Sequence, residues 1–476
     1  MDKETLDIDI LKKYPTIEIE MVEKLLNQEI KKNNDKIVVL DDDPTGVQTV
    51  HDISVYTDWS YESIRSGFAE KKKMFYILTN SRGFSIEQTI KVHHEIGQRI
   101  AEVAKEVNKG YLIVSRGDST LRGHYPLETE ILRNEIEKFS HHKVDGEILC
   151  PFFKEGGRYT IDNIHYVKYN QKLIPAGETE FAKDKTFGYK CSNLCAYIEE
   201  KTNGAYAQED VVTISLEELR GVKLQDITEK LLAVQNFGKV VVNAIDSSDL
   251  KVFCIALYRA IAKGKRFLFR TAAGFVKELG GITDKPLLTR SEMIVMNVNT
   301  GGIIVVGSHT LKTTSQLEAL KTVDGIEFIE FNSDLVLEEG RLEEEINSVI
   351  SKEENFLREG ITVVVYTKRK LLAFEQDTKE DALLRSVKIS EAVQSLVGRL
   401  TVIPAFVIAK GGITSSDIGT KALHVIKANV LGQIMPGIPV WQTGEESKFP
   451  QIPYIIFPGN VGDETTLKEA VEVLIG

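Results

Sequence analysis

The sequence is poor in the features that mark membrane proteins and disulfide-bonded proteins. None of its apolar runs approaches the roughly 18–20 residues that a membrane-spanning helix needs. Four cysteines are scattered over 476 residues, and the lone C-x3-C spacing of Cys191 and Cys195 is weak evidence for a zinc site. The N-terminal segment MDKETLDIDILKKYP is acidic and polar, unlike a signal or transit peptide. We therefore predict a cytoplasmic protein with reduced thiols.

Negative charge outweighs positive charge, and the common nucleotide-binding fingerprints are absent. The net charge of −11 argues against non-specific binding to nucleic acid or to an anionic membrane. A small anionic ligand remains compatible with it, because such a ligand needs only a local positive site. Neither a Walker A sequence nor a G-x-G-x-x-G sequence occurs. Any nucleotide site must therefore be built from other loops.

Apolar runs alternate with helical patterns in a way that predicts an α/β fold. Buried strands are indicated at 37–40, 74–78 and 111–114, because each is a continuous apolar run followed by a polar loop and a helical segment. Three such units in succession predict a doubly wound, largely parallel sheet whose polar loops gather on one edge. The segment HDISVYT, 51–57, is interpreted as a further strand of this half.

Three features define the predicted domain organisation. An amphipathic N-terminal helix is predicted over 17–34. The Gly-, Tyr- and Thr-rich segment 156–184 has no helical period and predicts an antiparallel hairpin inserted over the sheet. Mixed Gly, Thr, Asn and Pro character marks a boundary around 276–302. We predict two α/β domains, an N-terminal one over 1–290 and a smaller C-terminal one over 300–476.

Charged and hydroxyl-bearing residues follow the strands of the first half. Asp41, Asp42 and Asp43 end the first strand, and adjacent carboxylates repel one another unless a positive or protonated group joins them. An arginine can bind a ligand carboxylate through two hydrogen bonds, and aspartates accept hydrogen bonds from ligand hydroxyls. This combination of carboxylates, hydroxyls and guanidinium groups therefore suits a small polyhydroxylated acid. A surface ion pair is the alternative for each arginine taken alone. The groups come from Asp42, Asp43, Thr45, Ser81, Arg82, Arg116, Asp118, Ser119, Thr120 and Arg122.

In the second half, three strand ends place glycine beside hydroxyl groups: VVGSHT, AKGGITSSD and FPGNVGDE. Free backbone N–H groups at a helix N-terminus bind phosphate, and glycine allows the phosphate to approach closely. Capping of the following helices by Ser308, Thr414 or Ser415 is the alternative interpretation.

Six motifs resemble those of the four-carbon acid sugar kinase family and occur in that family's order. They are DDPTG at 42–46, TNSR at 79–82, DSTLRG at 118–123, VGS at 306–308, GGIT at 411–414 and PGNVGD at 458–463. The resemblance implies ATP-dependent phosphorylation, with Mg²⁺, of the terminal hydroxyl of threonate, erythronate or a 3-oxo relative. It also implies that the N-terminal domain binds the sugar acid and the C-terminal domain binds the nucleotide.

The resemblance carries over to individual residues. The implied nucleotide contacts are Ser308, Gly411, Gly412, Ile413, Thr414 and Gly459. The implied sugar-acid site comprises Asp42, Asp43, Arg82, Asp118, Ser119, Arg122 and Gly123. Only one of the two adjacent aspartates faces the substrate hydroxyl, because neighbours on an extended chain point opposite ways. We predict Asp43 as the base because Pro44 follows and restrains it. Asp42, the second catalytic candidate, then orients the loop or meets a cation.

One departure from the family pattern concerns the metal. Many members carry an acidic residue where this chain has Ile413, so the Mg²⁺ ligands are not predicted, and Asp417 and Asp463 are the remaining candidates. The expected partners are the sugar acid and ATP, and neither nucleic acid nor a membrane. A homodimer is left open.

Two other functions compete with the kinase. Asp41-x-Asp43 after an apolar strand also resembles the nucleophile motif of haloacid-dehalogenase-like phosphatases, with Asp41 as nucleophile, Thr79 as the second-strand hydroxyl, and Asp246 and Asp249 as the later acidic pair. That interpretation leaves the motifs at 118–123 and 411–414 without roles. A non-catalytic sensor that binds a sugar acid is the third possibility, and ATP turnover would distinguish the kinase from it.

Overall fold

The computed structural model describes residues 4–140, 143–295, 298–338, 340–370, 372, 379–459 and 461–476. Met1–Lys3 of the N-terminal segment and Asn460 of the PGNVGD motif lie outside the described residues. The chain forms two compact units. The N-terminal unit comprises Met1–Thr49 and Asp58–Asp284, and the smaller C-terminal unit comprises Val50–Thr57 and Lys285–Gly476.

The strands, in chain order, are β1 Leu6–Asp7, β2 Lys36–Asp41, β3 Ile53–Tyr56, β4 Met74–Leu78, β5 Tyr111–Arg116, β6 Gly146–Cys150, β7 Arg158–Ile161, β8 Ile164–Tyr169, β9 Lys172–Pro175, β10 Val212–Ile214, β11 Gly238–Val242, β12 Phe267–Thr271, β13 Ile303–Val306, β14 Ile326–Phe331, β15 Thr362–Thr367, β16 Val407–Lys410, β17 Lys427–Met435, β18 Ile438–Thr443 and β19 Pro453–Phe457.

The α-helices are α1 Ile19–Lys32, α2 Tyr61–Ala69, α3 Ile86–Glu106, α4 Leu127–Ser140, α5 Leu194–Lys201, α6 Leu216–Arg220, α7 Leu224–Ala233, α8 Ser247–Ala262, α9 Ala273–Gly280, α10 Arg290–Met293, α11 Leu311–Leu320, α12 Arg341–Arg358, α13 Lys379–Gly398, α14 Gly412–Asp417 and α15 Thr466–Ile475. A π-helical turn, Ile418–Ala422, continues α14. The 3₁₀ helices are Ile8–Lys13, Ser81–Gly83, Ala176–Glu178, Glu180–Lys183, Gln208–Asp210 and Ser333–Leu337.

The N-terminal unit contains the predicted parallel sheet, with strand order β10-β11-β6-β12-β5-β2-β4 and every pair parallel. Every residue of β2, β4 and β6 is buried, as their continuous apolar runs indicate. In the register, Asp41 lies opposite Leu78 on one side and Arg116 on the other. The polar residues that follow these strands therefore gather at one edge of the sheet.

A second, antiparallel sheet corresponds to the predicted insertion over 156–184. It has the order β1-β9-β8-β7, so it is a three-stranded meander extended by an N-terminal strand rather than a two-stranded hairpin. The extra reversal occurs because Asp162, Asn163 and Asn170 adopt positive φ, which makes two tight turns instead of one. Residues 176–178 and 180–183 are 3₁₀ helices and not strand.

The C-terminal unit contains a mixed sheet with the order β3-β17-β18-β19-β16-β13-β15-β14. Pairing is parallel from β19 to β14 and antiparallel among β3, β17, β18 and β19. The two-domain α/β fold is thus confirmed, and residues 51–57, which the sequence places in the N-terminal half, belong to the C-terminal unit in space. Strand β3 pairs with β17, with Ile53 opposite Val430. A four-residue apolar run indicates a buried strand but cannot identify the strand beside it.

Two further properties bear on the sequence analysis. Within the described part of the chain, no helix is both long and apolar enough to cross a membrane. The four cysteines are free, and Cys150, Cys195 and Cys254 are buried.

Candidate functional site

Arg82 lies at the centre of the charged cluster that ends the parallel strands. Its Nη2 and Nε donate to the two carboxylate oxygens of Asp42 at 2.7 and 3.2 Å, and its Nη1 donates to Asp43 at 3.2 Å. The Asp42 side chain is 3% exposed and the Asp43 side chain is 20% exposed. One guanidinium therefore relieves the repulsion between two adjacent carboxylates and leaves the second one facing outward.

Asp43 is held in place by its own loop. The backbone N–H of Thr45 donates to Asp43 at 2.9 Å, and the Thr45 hydroxyl donates to the same oxygen at 2.5 Å. Burial works to raise the pKa of Asp43, but the Arg82 guanidinium and the two Thr45 hydrogen bonds outweigh it and hold the pKa below its ordinary value. Asp43 is therefore ionised near neutral pH and can accept a hydrogen bond from a hydroxyl.

Asp41 occupies a different environment from its two neighbours. Its carboxylate accepts from Nη1 of Arg116 at 3.2 Å, and both side chains are at most 5% exposed. Burial raises the pKa of Asp41 to about 7, and the adjacent Arg116 offsets part of that effect. A Cβ added at Gly46 would lie 1.9 Å from this carboxylate, so the backbone of Gly46 covers it. Asp41 and Arg116 thus form a buried structural pair that a ligand cannot reach past the backbone of Gly46.

The loop 118–123 is fixed by side chains that hold successive carbonyl groups. Ring Nε2 of His165 donates to the Ser119 carbonyl at 2.8 Å, and the Tyr189 hydroxyl donates to the Thr120 carbonyl at 2.8 Å. The carbonyls of residues 121 and 122 accept from the Tyr197 hydroxyl at 2.9 Å and from Nη2 of Arg270 at 3.0 Å, respectively. Four carbonyls in a row are satisfied in this way, which holds the loop in one conformation.

This loop presents Asp118 and Arg122 beside the Asp42–Asp43 pair. Nε of Arg122 donates to Asp118 at 2.6 Å. Burial opposes ionisation of Asp118, but Arg82 and Arg122 together hold its pKa well below the ordinary range. Gly123 has φ +118°, and a Cβ there would meet Nη2 of Arg270 at 2.6 Å and Asp42 at 3.4 Å. The predicted sugar-acid residues are therefore brought together, whereas the side chain of Ser119 is buried.

Arg270 and Glu128 form a buried support that the sequence analysis missed. Nη1 of Arg270 donates to Glu128 at 2.8 Å, and the Ser81 hydroxyl donates to the other Glu128 oxygen at 2.7 Å. All three side chains are buried. In the sequence, only the position of Arg270 inside the apolar run RFLFRT could have indicated this pair. A buried arginine needs a carboxylate partner, so such a position predicts one.

The residues of the phosphatase alternative are used structurally. The Thr79 hydroxyl donates to the Asp41 carbonyl at 2.9 Å. Asp246 and Asp249 form a capping box at the start of α8, and Asp249 also pairs with Arg220 at 2.5 Å. Asp41 itself is covered by Gly46. No observation favours a phosphatase.

In the C-terminal unit, the predicted nucleotide residues lie at one edge of the mixed sheet. The register sets Val306 beside Lys410 and Lys410 beside Phe457, so the three following loops start side by side. The loops also contact one another. The hydroxyls of Thr310 and Thr313 both donate to the Gly459 carbonyl at 3.3 Å, and the Gly411 N–H donates to the Phe457 carbonyl at 2.9 Å.

Glycines keep this edge open. Among the residues that the structure describes, a Cβ added at Gly412 would meet nothing within 4 Å, and one at Gly459 would lie nearest to the Ser308 hydroxyl, at 3.3 Å. Ile413 is 74% exposed, whereas Thr414 is buried against Gly307. Because no side chain of the described residues fills the space above Gly412, an anionic group can approach the backbone there.

The charges at this edge fit an anionic ligand. Arg369 donates to the Ser308 carbonyl at 2.5 Å and to the Thr314 hydroxyl at 3.1 Å, and its Nη1 is buried without a hydrogen-bond partner. Among the described residues, no carboxylate lies within ion-pair distance of Arg369. Lys410 is fully buried, and burial together with Lys312 lowers its pKa to about 7. Arg369 therefore places a positive charge beside Ser308 that no carboxylate of the described residues pairs with.

Neither candidate for the metal is free. Asp417 accepts from the Ser390 hydroxyl at 2.6 Å and pairs with Lys421 at 2.8 Å. Asp463 accepts from Thr465 and Thr466 ahead of α15. The described residues include no group of three or more His, Cys, Asp or Glu side chains arranged to hold a metal ion.

Comparison with known proteins identifies both units. Residues 37–279 match the family model described as the sugar-binding N-terminal domain, and residues 303–467 match the nucleotide-binding C-terminal domain. The chain belongs to the four-carbon acid sugar kinase family. No curated protein matches this member of the family in a sequence search.

Solved structures support the same fold for this four-carbon acid sugar kinase family member. The Haemophilus influenzae protein HI1011 is 17% identical, with a TM-score of 0.62, over 92% of this chain and 100% of that one. A Salmonella typhimurium LT2 protein, named as a candidate tRNA synthase, is 14% identical, with a TM-score of 0.63, over 92% of this chain and 99% of that one. At this identity the likeness shows the fold alone.

Proposed function

We propose that this protein is an ATP-dependent kinase that phosphorylates the terminal (4-) hydroxyl of a four-carbon sugar acid such as threonate, erythronate or a 3-oxo-tetronate. The matches to a sugar-binding and a nucleotide-binding domain support the general class. The observation that carries the specific proposal is the Asp42–Arg82–Asp43 cluster, in which one carboxylate is paired inward and the other is presented outward. This arrangement suits a hydroxyl nucleophile.

Asp43 is the proposed acceptor of the hydroxyl proton. In phosphoryl transfer the attacking hydroxyl loses its proton late in a loose transition state, so an acceptor contributes positioning and modest base catalysis. Asp43 is ionised, partly exposed and restrained by Thr45, which are the properties that such an acceptor needs. Asp42 keeps Arg82 in place. Arg82, Asp118, Ser119, Arg122 and Gly123 complete the proposed sugar-acid site.

ATP is the proposed phosphoryl donor, bound at the C-terminal edge by Ser308, Gly411, Gly412, Ile413, Thr414 and Gly459. In the part of the chain that the structure describes, the open space at Gly412 and the Arg369 guanidinium, whose Nη1 has no hydrogen-bond partner, support phosphate binding there. Mg²⁺ would accompany the phosphates and neutralise charge, and it is commonly held by few protein ligands. Its ligands on this chain stay unassigned. The cytoplasmic location and the homodimer also stay predictions.

A coupled assay of ADP release tests the reaction. The panel contains D- and L-threonate, D- and L-erythronate and the 3-oxo-tetronates, at saturating ATP and Mg²⁺. We expect ADP release with at least one acid, and a phosphorus NMR signal split by two protons, because the 4-hydroxyl is on a CH₂ group. A signal split by one proton would place the phosphate on another hydroxyl. Binding without ADP release would instead indicate a sensor.

A further inference from the structure

The arginines of the proposed sugar-acid site are already matched by protein carboxylates. The pairs are Arg82 with Asp42 and Asp43, Arg116 with Asp41, Arg122 with Asp118, and Arg270 with Glu128. A substrate carboxylate that displaced one of these partners would leave an aspartate or glutamate unpaired in a mostly buried place, which is unfavourable. The carboxylate of the sugar acid needs a positive group that is not yet paired.

Arg158, the first residue of β7 in the antiparallel insertion, has this property. Its Nη1 donates to the Gly156 carbonyl, and its Nε is buried without a hydrogen-bond partner. Within the described ranges of the chain, no carboxylate lies within ion-pair distance of it. Burial lowers the pKa of Arg158, with Asp118 as the largest opposing influence. Its charge is thus only partly compensated by the protein.

The position of Arg158 connects it to the loop 118–123. The guanidinium groups of Arg158 and Arg122 lie 5.5 and 5.1 Å from the centre of the same Phe181 ring. The insertion is joined to the loop through His165, which holds the Ser119 carbonyl at 2.8 Å. Arg158 therefore lies on the rim of the sugar-acid site, on an element outside the parallel sheet.

We propose that Arg158 binds the carboxylate of the sugar acid and makes the enzyme select acids over neutral polyols. The proposal rests on the function proposed above. The guanidinium would form charge-assisted hydrogen bonds with the carboxylate, while the other end of the substrate carries the hydroxyl that reaches Asp43. The antiparallel insertion would then contribute acid specificity, and the parallel sheet would contribute the phosphoryl-transfer chemistry.

The test compares Arg158→Met and Arg158→Lys with the wild type. Calorimetry without ATP measures binding of threonate and erythronate, and the ADP assay measures kcat and KM. For Arg158→Met we expect the Kd and KM for the acid to rise about tenfold to a hundredfold, with kcat and the KM for ATP nearly unchanged. Arg158→Lys keeps the positive charge but loses the paired N–H donors of the guanidinium, so its Kd and KM for the acid should lie between those of the wild type and Arg158→Met. Threitol and erythritol, the neutral counterparts, should bind both variants as they bind the wild type.

Arg133→Met is the matched control, because Arg133 also lies over an aromatic ring, Phe237 at 4.7 Å, and pairs with Glu137 at 3.1 Å. It should bind acids normally. Unchanged acid binding by a folded Arg158→Met would overturn the assignment of Arg158, and so would an equal loss for acids and polyols. A wild type that neither binds nor phosphorylates any acid would instead overturn the proposed function, and this inference with it.

Discussion

The two units build their sheet edges from different materials. In the N-terminal unit the edge consists of charged side chains that neutralise one another, with Arg82 between Asp42 and Asp43 and Arg122 beside Asp118. In the C-terminal unit it consists of backbone, glycine and hydroxyl groups, and Gly412 faces open space. The first edge suits a ligand whose hydroxyls need oriented partners. The second suits phosphates, which bind to backbone N–H groups.

A buried ionisable residue ends a strand that is paired on both sides in each unit. Asp41 ends β2 and pairs with Arg116, whereas Lys410 ends β16, donates to the Pro458 carbonyl at 2.6 Å and lies 4.1 Å from the centre of the Phe457 ring. Burial brings the pKa of both to about 7 from opposite sides. The comparison shows that burial, rather than residue type, dominates the ionisation of these strand ends.

The largest effect that would test this comparison is expected for Asp43→Asn. The change keeps the shape and removes the proton acceptor, so kcat should fall about 10²–10⁴-fold with little change in the KM for ATP. Steady-state kinetics with the best acid of the panel measures it. Asp42→Asn is the control, because it weakens the hold on Arg82 and should mainly raise the KM for the acid. Full activity of Asp43→Asn together with an inactive Asp42→Asn would exchange the two roles.

The next effect is the pH dependence of stability. The unfolded chain releases the Asp41 proton near pH 3.8 and the folded protein near 7, so the folded state binds more protons between them. The free energy of unfolding should therefore fall as pH rises from about 4 to 7, by roughly 4 kcal/mol for this group. Lys410 behaves in the opposite way, because the folded state releases its proton near pH 7 and the unfolded chain near 10.5. Lys410 therefore makes the free energy of unfolding rise as pH increases from about 7 to 10.5.

Denaturant unfolding from pH 4 to 10.5 measures both contributions. Asp41→Asn should flatten the profile between pH 4 and 7, and Lys410→Met should flatten it between 7 and 10.5. Each variant serves as the control for the other in the window where its own residue does not titrate. An unchanged profile in both would show that other groups determine the pH dependence.

The smallest effect concerns glycine. Gly412→Val places a side chain in open space at the proposed phosphate site, so the KM for ATP should rise about tenfold while stability and sugar-acid binding remain. Gly459→Val should behave similarly. Gly46→Ala is the contrast in the N-terminal unit, because its Cβ would overlap the Asp41 carboxylate and should cost about 1–3 kcal/mol of stability. Binding of the sugar acid alone is measured by calorimetry. If a folded Gly412→Val variant no longer bound the sugar acid, the assignment of Gly412 to the nucleotide site would be wrong.

Local patterns predicted the elements well where the pattern itself has a physical cause. Continuous apolar runs predicted β2, β4 and β5, because strands covered on both faces have no polar alternation. The helix predicted over 17–34 is α1, Ile19–Lys32. The insertion was predicted as an antiparallel hairpin, but its number of strands depended on turn residues with positive φ. The same patterns gave no information on the pairing of β3.

By itself, the sequence determined the α/β class, the polar strand ends and the motifs that identify the family, because each depends on residues close together in the chain. The tertiary structure alone decided which charges meet. Arg270 reaches Glu128 across 142 positions and His165 holds the Ser119 carbonyl across 46, so neither contact has a local pattern. It also separated Asp41 from Asp42 and Asp43, because Asp41 pairs with Arg116 whereas Asp42 and Asp43 share Arg82, and Asp43 is the most exposed of the three. Ionisation depends on the surroundings in three dimensions, and a sequence does not contain those directly.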